Sequence, residues 1–209
     1  MQPGAGTVVA ALAFCAALAV AKAPVRKAPS PSVASVSESF AADFNEERFG
    51  SIASRFSYPP MQEAEDRVRD SIMLGLVYQG MKARFGRIDS MVPIRSIPKA
   101  GAMIWTYTAD EEYWNARRFS CDEVALYRAT FSTGKVLLLR FKQIREQDAL
   151  RVCLFNLIAA IPEATPDAEV QRLAKGFLSD VSGLMKDVNA KAKAMGMKPI
   201  DLIGLDEAP

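Results

Sequence analysis

The chain has 209 residues, 50% of them hydrophobic, with 26 Lys and Arg against 24 Asp and Glu and no histidine. Without histidine there is no Ser–His or Cys–His nucleophile, no His-ligated metal site and no imidazole to serve as a general base near neutral pH. The net charge is +2, and Lys22, Arg26 and Lys27 supply +3 of it, which leaves residues 34–209 at −1. A near-neutral body argues against a nucleic-acid binder, which needs a basic domain.

Residues 1–21 carry no charged side chain, and Val8 to Ala21 is an unbroken apolar run closed by Ala19 and Ala21. A run of about 14 residues with an Ala-x-Ala end reads as a secretory signal peptide and is short of the ~20 a membrane-spanning helix needs. The basic residues follow the run instead of preceding it, so the alternative is an uncleaved segment that anchors the protein to a membrane. The expected location is periplasmic or secreted. Residues 22–33, rich in Ala, Pro and Lys, have little to bury and form a disordered linker.

Residues 34–162 are expected to form one α+β domain. Phe40, Phe44, Phe49, Ile52 and Phe56 recur at helical spacing over residues 34–57, with a break near Asn45 and a stop at Pro59-Pro60. Glu63 to Phe85 is a second helix, with Glu63, Glu65 and Asp66 at its N-terminal end and Gly86 as its stop. Gly75 and Gly80 each cost up to about 1 kcal/mol in a helix interior, which predicts close packing at those points. Residues 89–101 read as loop, Ala102–Thr108 as a strand, and Tyr113–Ser120 as a strand or an irregular crossover.

Three strand-like runs follow: Glu123–Ser132, Lys135–Arg145 and Asp148–Ala160, joined by turns at Thr133-Gly134 and Glu146-Gln147. This is an antiparallel meander. Large apolar side chains fall on both of its faces, so both should be covered. Thr165-Pro166-Asp167 starts a last helix, with Val170, Leu173, Phe177, Val181, Leu184 and Val188 as its apolar stripe. This helix, residues 163–198, is expected to cover the second sheet face, within its own chain or in a symmetric partner. Residues 199–209 are expected to be a flexible tail.

Pairing the meander through two-residue turns sets Tyr127 opposite Arg140, Arg140 opposite Cys153, and Lys142 opposite Arg151. Like charges directly opposite are unfavourable unless an anion or an acidic neighbour lies between them. Tyr127, Arg140, Lys142 and Arg151 are therefore a candidate patch for a small anionic ligand, with a solvated basic face as the alternative. The same register keeps Cys121 and Cys153 on non-neighbouring strands, beyond the ~7 Å a disulfide tolerates, and predicts two buried thiols. No Cys-x-x-Cys pair or phosphate-binding glycine loop occurs, and no metal or cofactor is expected. Asp66 and Asp70 are the helix carboxylates that could serve as a base.

Phe40-Ala-Ala-Asp-Phe44, Arg55-Phe-Ser-Tyr-Pro-Pro60, Asp66-Arg67, Phe85-Gly-Arg-Ile88 and Tyr113-Trp114 together resemble small secreted bacterial proteins of the nuclear transport factor 2-like superfamily. The resemblance implies a cone-shaped α+β roll, in which helices come first and a curved antiparallel sheet closes over them. The superfamily includes ketosteroid-isomerase-like enzymes with a carboxylate base, whereas no Asp or Glu lies between Ala125 and Arg145 here. The expected function is that of an exported, non-enzymatic module binding a small ligand or a protein partner. The alternatives are a structural homodimer and an isomerase- or hydrolase-type enzyme using a helix carboxylate in the cone.

Overall fold

Apolar side chains at helical spacing, interrupted by polar capping residues and glycines, give helices first. The computed structural model describes residues 32–58, 63–98, 104–107, 123–146 and 149–200, all within the unit Pro31–Pro209. The elements are α1 (Ser32–Asn45), α2 (Phe49–Ala53), α3 (Ala64–Phe85), β1 (Ile88–Pro93), β2 (Ile104–Tyr107), β3 (Glu123–Phe131), β4 (Val136–Glu146), β5 (Ala149–Ala159) and α4 (Asp167–Ala194). The strands form one sheet in the order β1-β3-β4-β5-β2, with every pairing antiparallel. The architecture is α+β, with N-terminal helices on an antiparallel sheet and a long C-terminal helix. Pro59-Pro60 and Tyr113–Ser120 lie outside the described residues.

The break at Asn45 has a clear physical basis. Its side-chain amide donates to Ile88 O (2.9 Å) and accepts from Ile88 N–H (2.7 Å), so the end of α1 is bonded to the start of β1. Gly86, at φ 81°, then turns the chain from α3 directly into β1, and a Cβ there would lie 2.1 Å from Ser132 Oγ. Residues 88–93 are thus a strand and not loop. Ile88 is the only buried residue of β1, so an edge strand with two wet flanks lacks the alternation that betrays strands in sequence.

The β3–β4 turn is one residue longer than the two-residue reading. Phe131 N–H donates to Lys135 O and Gly134 N–H to Phe131 O, each at 2.8 Å, with Gly134 at φ 81°. Ser132-Thr133-Gly134 is therefore a three-residue loop that needs a glycine in the left-handed region. Because side chains alternate with period two, a one-residue slip moves each to the other face relative to its neighbour strand. Tyr127 pairs with Leu139, and Arg140 with Leu126. On β5, Arg140 pairs with Asn156, Lys142 with Leu154 and Ile144 with Arg151, and the register slips between Lys142 and Gln143 so that Cys153 is left unpaired as a bulge.

The inner face, turned to the helices, carries Ala125, Tyr127, Ala129, Phe131, Leu137, Leu139, Phe141, Phe155 and Leu157, all buried in one cluster with α1, α2, α3 and α4. Rings fill its middle: Phe40 sits 5.0 Å from Phe141 and 5.5 Å from Tyr78, and Tyr78 sits 5.4 Å from Phe155. Phe56 and Phe85 are in this core, as their spacing predicts.

Helix α4 is on this side as well, which corrects the expectation that it covers the opposite face. Phe177, Val181, Leu184, Met185 and Val188 are buried in the same cluster as α3. A Cβ at Gly80 would fall 2.5 Å from Leu184 Cδ1 and 3.4 Å from Val188 Cγ2, so α3 and α4 touch where Gly80 offers no side chain; at Gly75 the nearest such atom is 4.0 Å away. Arg84 pairs with Asp187 (3.2 Å), and Lys135 with Asp180. Beyond the helix, Asn189 exchanges two 2.8 Å hydrogen bonds with the backbone of Ile200. The segment expected to loosen at Pro199 is thus still tied at Ile200.

The outer face is covered in part by the chain that leaves β1. Leu126, Leu138 and Ile158 are buried there, with Ile94, Ile97 and Ala160 packed on them, and Ile94 N–H donates to Leu126 O at 2.9 Å.

Candidate functional site

Three registered rows cross the outer face. One runs Val92, Arg128, Leu138, Ile158, Ile104; a second Leu126, Arg140, Asn156, Thr106; a third Val124, Lys142, Leu154. None contains a carboxylate. Arg128, Arg140 and Lys142 therefore step across the two central strands among apolar neighbours, of which Val92 (54% exposed), Val124 (55%) and Ile104 (41%) face solvent. Exposed apolar groups among cations that make no ion pair with a described residue form a surface suited to another molecule.

The residues singled out in the sequence divide between places. Arg140 and Lys142 stand together on the outer face. Tyr127 is on the inner face, 2% exposed and packed against Phe141, and has no part in an outer patch. Arg151 donates from a guanidinium nitrogen to Ser54 O at 2.7 Å, which holds it to the end of α2. Arg140 Nε donates to Asn156 Oδ1 at 2.7 Å, and Asn156 is itself buried. Burial lowers the pKa of Arg140, yet a guanidinium stays charged in proteins. Among the described residues neither Arg128 nor Lys142 has an ion-pair partner.

Cys153 is disulfide-bonded, and the other two cysteines of the chain lie outside the described residues. The expectation of two free thiols is overturned. It rested on a register that paired Cys153 with Arg140, whereas Cys153 is the unpaired residue of the β5 bulge.

The carboxylates are placed as follows. Asp66 is half-buried and pairs with Arg69 at 2.8 Å. Asp70 is 9% exposed, with Arg69 Nε at 3.6 Å. The most buried is Asp43, at 4%, which accepts from Arg48 and Ser51 and pairs with Arg55, clamping α1 to α2. The carboxylate is buried while its arginine partners reach solvent, and with donors from both sides of α2 upon it, it has a structural role.

A second polar region lies at the end of the core nearest the β4–β5 turn. Gln143 continues the inner row of Leu137, Leu139 and Phe141 and pairs with Val152, whose carbonyl accepts from Ser57 N–H at 2.8 Å. Tyr58 follows, with its hydroxyl pKa raised first by burial, lowered in part by the nearby Ser71 hydroxyl and raised again by the charge of Asp70. A raised phenol pKa means that the folded state holds the proton more tightly than the unfolded chain. Stability from this group is whole below about pH 10 and is lost as pH climbs above it. Denaturant melts should therefore weaken above about pH 10, and the decline should be shallower in Tyr58→Phe; an equal decline in both would discount Tyr58.

Gln143 is not among the residues singled out in the sequence, though strand parity marks it as a polar residue directly after Leu137, Leu139 and Phe141 in the inner row. Among the described residues no helix is long and apolar enough to cross a membrane, and no cluster of His, Cys, Asp or Glu is placed to hold a metal ion. No protein-family model, curated protein or solved structure matches the chain.

Proposed function

We propose that this chain is an exported, non-enzymatic α+β module of the nuclear transport factor 2-like kind, which binds an acidic protein partner through the outer face of its sheet. The observation that carries the reading is the set of carboxylate-free rows that set Arg128, Arg140 and Lys142 among exposed Val92, Ile104 and Val124. Such a face offers charge to steer an anionic partner and apolar area to hold it. The ring-filled middle of the inner face favours this outer surface over a ligand in the centre of the cone. A homodimer through the same face is disfavoured, since it would bring like charges together.

Export is supported by the apolar run with its Ala-x-Ala end and by the disulfide at Cys153, a bond that persists in oxidising compartments. Cleavage predicts a mature N-terminus near Lys22 or Ala23, and intact Met1 in a membrane fraction would favour the anchored form instead.

The binding reading is tested with a fluorescent oligo-glutamate peptide and the variants Arg128→Gln and Lys142→Gln. Neither side chain makes a described ion pair, so the fold should be unaffected. The double variant is expected to bind about tenfold more weakly, corresponding to about 1.4 kcal/mol, and the wild-type affinity should fall with added salt. Wild-type protein that neither binds the peptide nor is stabilised by any anion in a thermal-shift screen would sink the proposal.

A further inference from the structure

Gln143 is 1% exposed, and among the described residues neither its amide nitrogen nor its amide oxygen has a hydrogen-bond partner. Most buried polar side-chain atoms in folded proteins are bonded, and an exception calls for a cause such as a missing water, ion or functional role. Here two donors and an acceptor are withdrawn from water together. An apolar residue of the same volume would continue the row of Leu137, Leu139 and Phe141 with no such penalty, so fold stability alone does not account for glutamine at this position.

The surroundings are those of a site and not of a random defect. Ala125 pairs with Phe141, one step along the inner face from Gln143, and is the small member of that pair. The β5 bulge at Cys153 lies directly across, and bulges concentrate where a strand end must re-aim side chains. Val152, the partner of Gln143, is bonded on its far edge to Arg55 and Ser57, which brings in buried Ser57 and, next to it, Tyr58 with Asp70. Three of the buried polar residues thus gather at one end of an otherwise aromatic core.

We infer that this end of the core is a recognition site for a small neutral group presenting a donor beside an acceptor, a carboxamide or cyclic imide, held by the side-chain amide of Gln143. An amide pairs reciprocally with another amide edge through N–H···O bonds in both directions. The buried carboxylate of Asp70 at the same end disfavours an anionic counterpart such as a carboxylate. The site is independent of the outer face, so either assignment can fail alone.

The test is a thermal-shift titration of the full chain with matched pairs: propionamide against propionate, and nicotinamide against nicotinate. The carboxamides, at concentrations well above their dissociation constants, should raise the wild-type melting temperature by about 2–4 °C, and the carboxylates should not. Gln143→Met, of similar volume and with no unpaired amide, should melt above ligand-free wild type and lose the carboxamide response. Should that variant not fold, the side-chain NH2 resonances of Gln143 in 15N-labelled wild type give the same answer, shifting with propionamide and not with propionate. The inference is overturned if no carboxamide stabilises the wild type, if the response survives in Gln143→Met, or if the Gln143 resonances do not move.

Discussion

Ending the chain at Ala164, so that α4 is removed, should abolish the cooperative thermal transition of the remainder. Phe177, Val181, Leu184, Met185 and Val188 are buried against α3 and the inner sheet face. Each such side chain contributes about 1.5–3 kcal/mol, and together they are comparable to the ~5–15 kcal/mol by which whole domains are stable. The ion pairs Arg84–Asp187 and Lys135–Asp180 are partly exposed and decide little, at about 1 kcal/mol or less each. Truncation also uncovers Gly80 and the flank of α3, leaving an apolar strip that should aggregate. Leu184→Ala, within reach of Gly80, should cost about 2–5 kcal/mol in the intact chain. A truncated protein that stays monomeric with an unchanged melting temperature would show that α4 is an appendage.

Loss of the transition would follow from burial on the helix side, a feature the sequence did not place. The stripe of Phe177, Val181, Leu184 and Val188 says that α4 buries a face; nothing in its spacing says against what. The informative residue was Gly80, a glycine that α3 tolerates because Leu184 and Val188 occupy its side-chain volume. Two apolar sheet faces suggested a missing cover, but the chain after β1 already supplies Ile94 and Ile97. Helix existence and the meander were legible because both rest on local periodicity and turn residues. Strand β1 was not, since its position is set by contacts from Asn45 and Gly86 and not by its own pattern.

The candidate site was less legible, because it rests on the register of two hairpins. Whether Gly134 closes a two- or a three-residue loop changes the register by one, and with it the face each residue shares with its neighbours. Arg140 and Lys142 stayed together because they are two apart on one strand. Tyr127 was joined to them only across strands and left the group when the register moved, whereas Arg151, now opposite Ile144, keeps their face but is bonded to Ser54 O. Cys153 was misjudged through the other hairpin, which closes at Glu146 and Ala149, and through a bulge that no local signal announces.

The register itself can be tested by the contrast between two adjacent residues of β4. Phe141 is 1% exposed on the central strand, its ring 5.0 Å from Phe40, 5.2 Å from Phe155 and 6.2 Å from Tyr127. Phe141→Ala should cost about 3–5 kcal/mol, since the rings around it come from a helix and two other strands and cannot all collapse into the space. At about 2–4 °C per kcal/mol for a domain of this size, the melting temperature should fall by roughly 6–20 °C. Lys142 is one residue on and points to the outer face, where it makes no described ion pair. Lys142→Ala should change stability by no more than about 0.5 kcal/mol. A severe Lys142 variant beside a mild Phe141 variant would mean that the inner and outer faces are reversed. Comparable effects from both would mean that β4 is not a two-faced strand, and the outer rows that carry the proposed binding surface would fall with it.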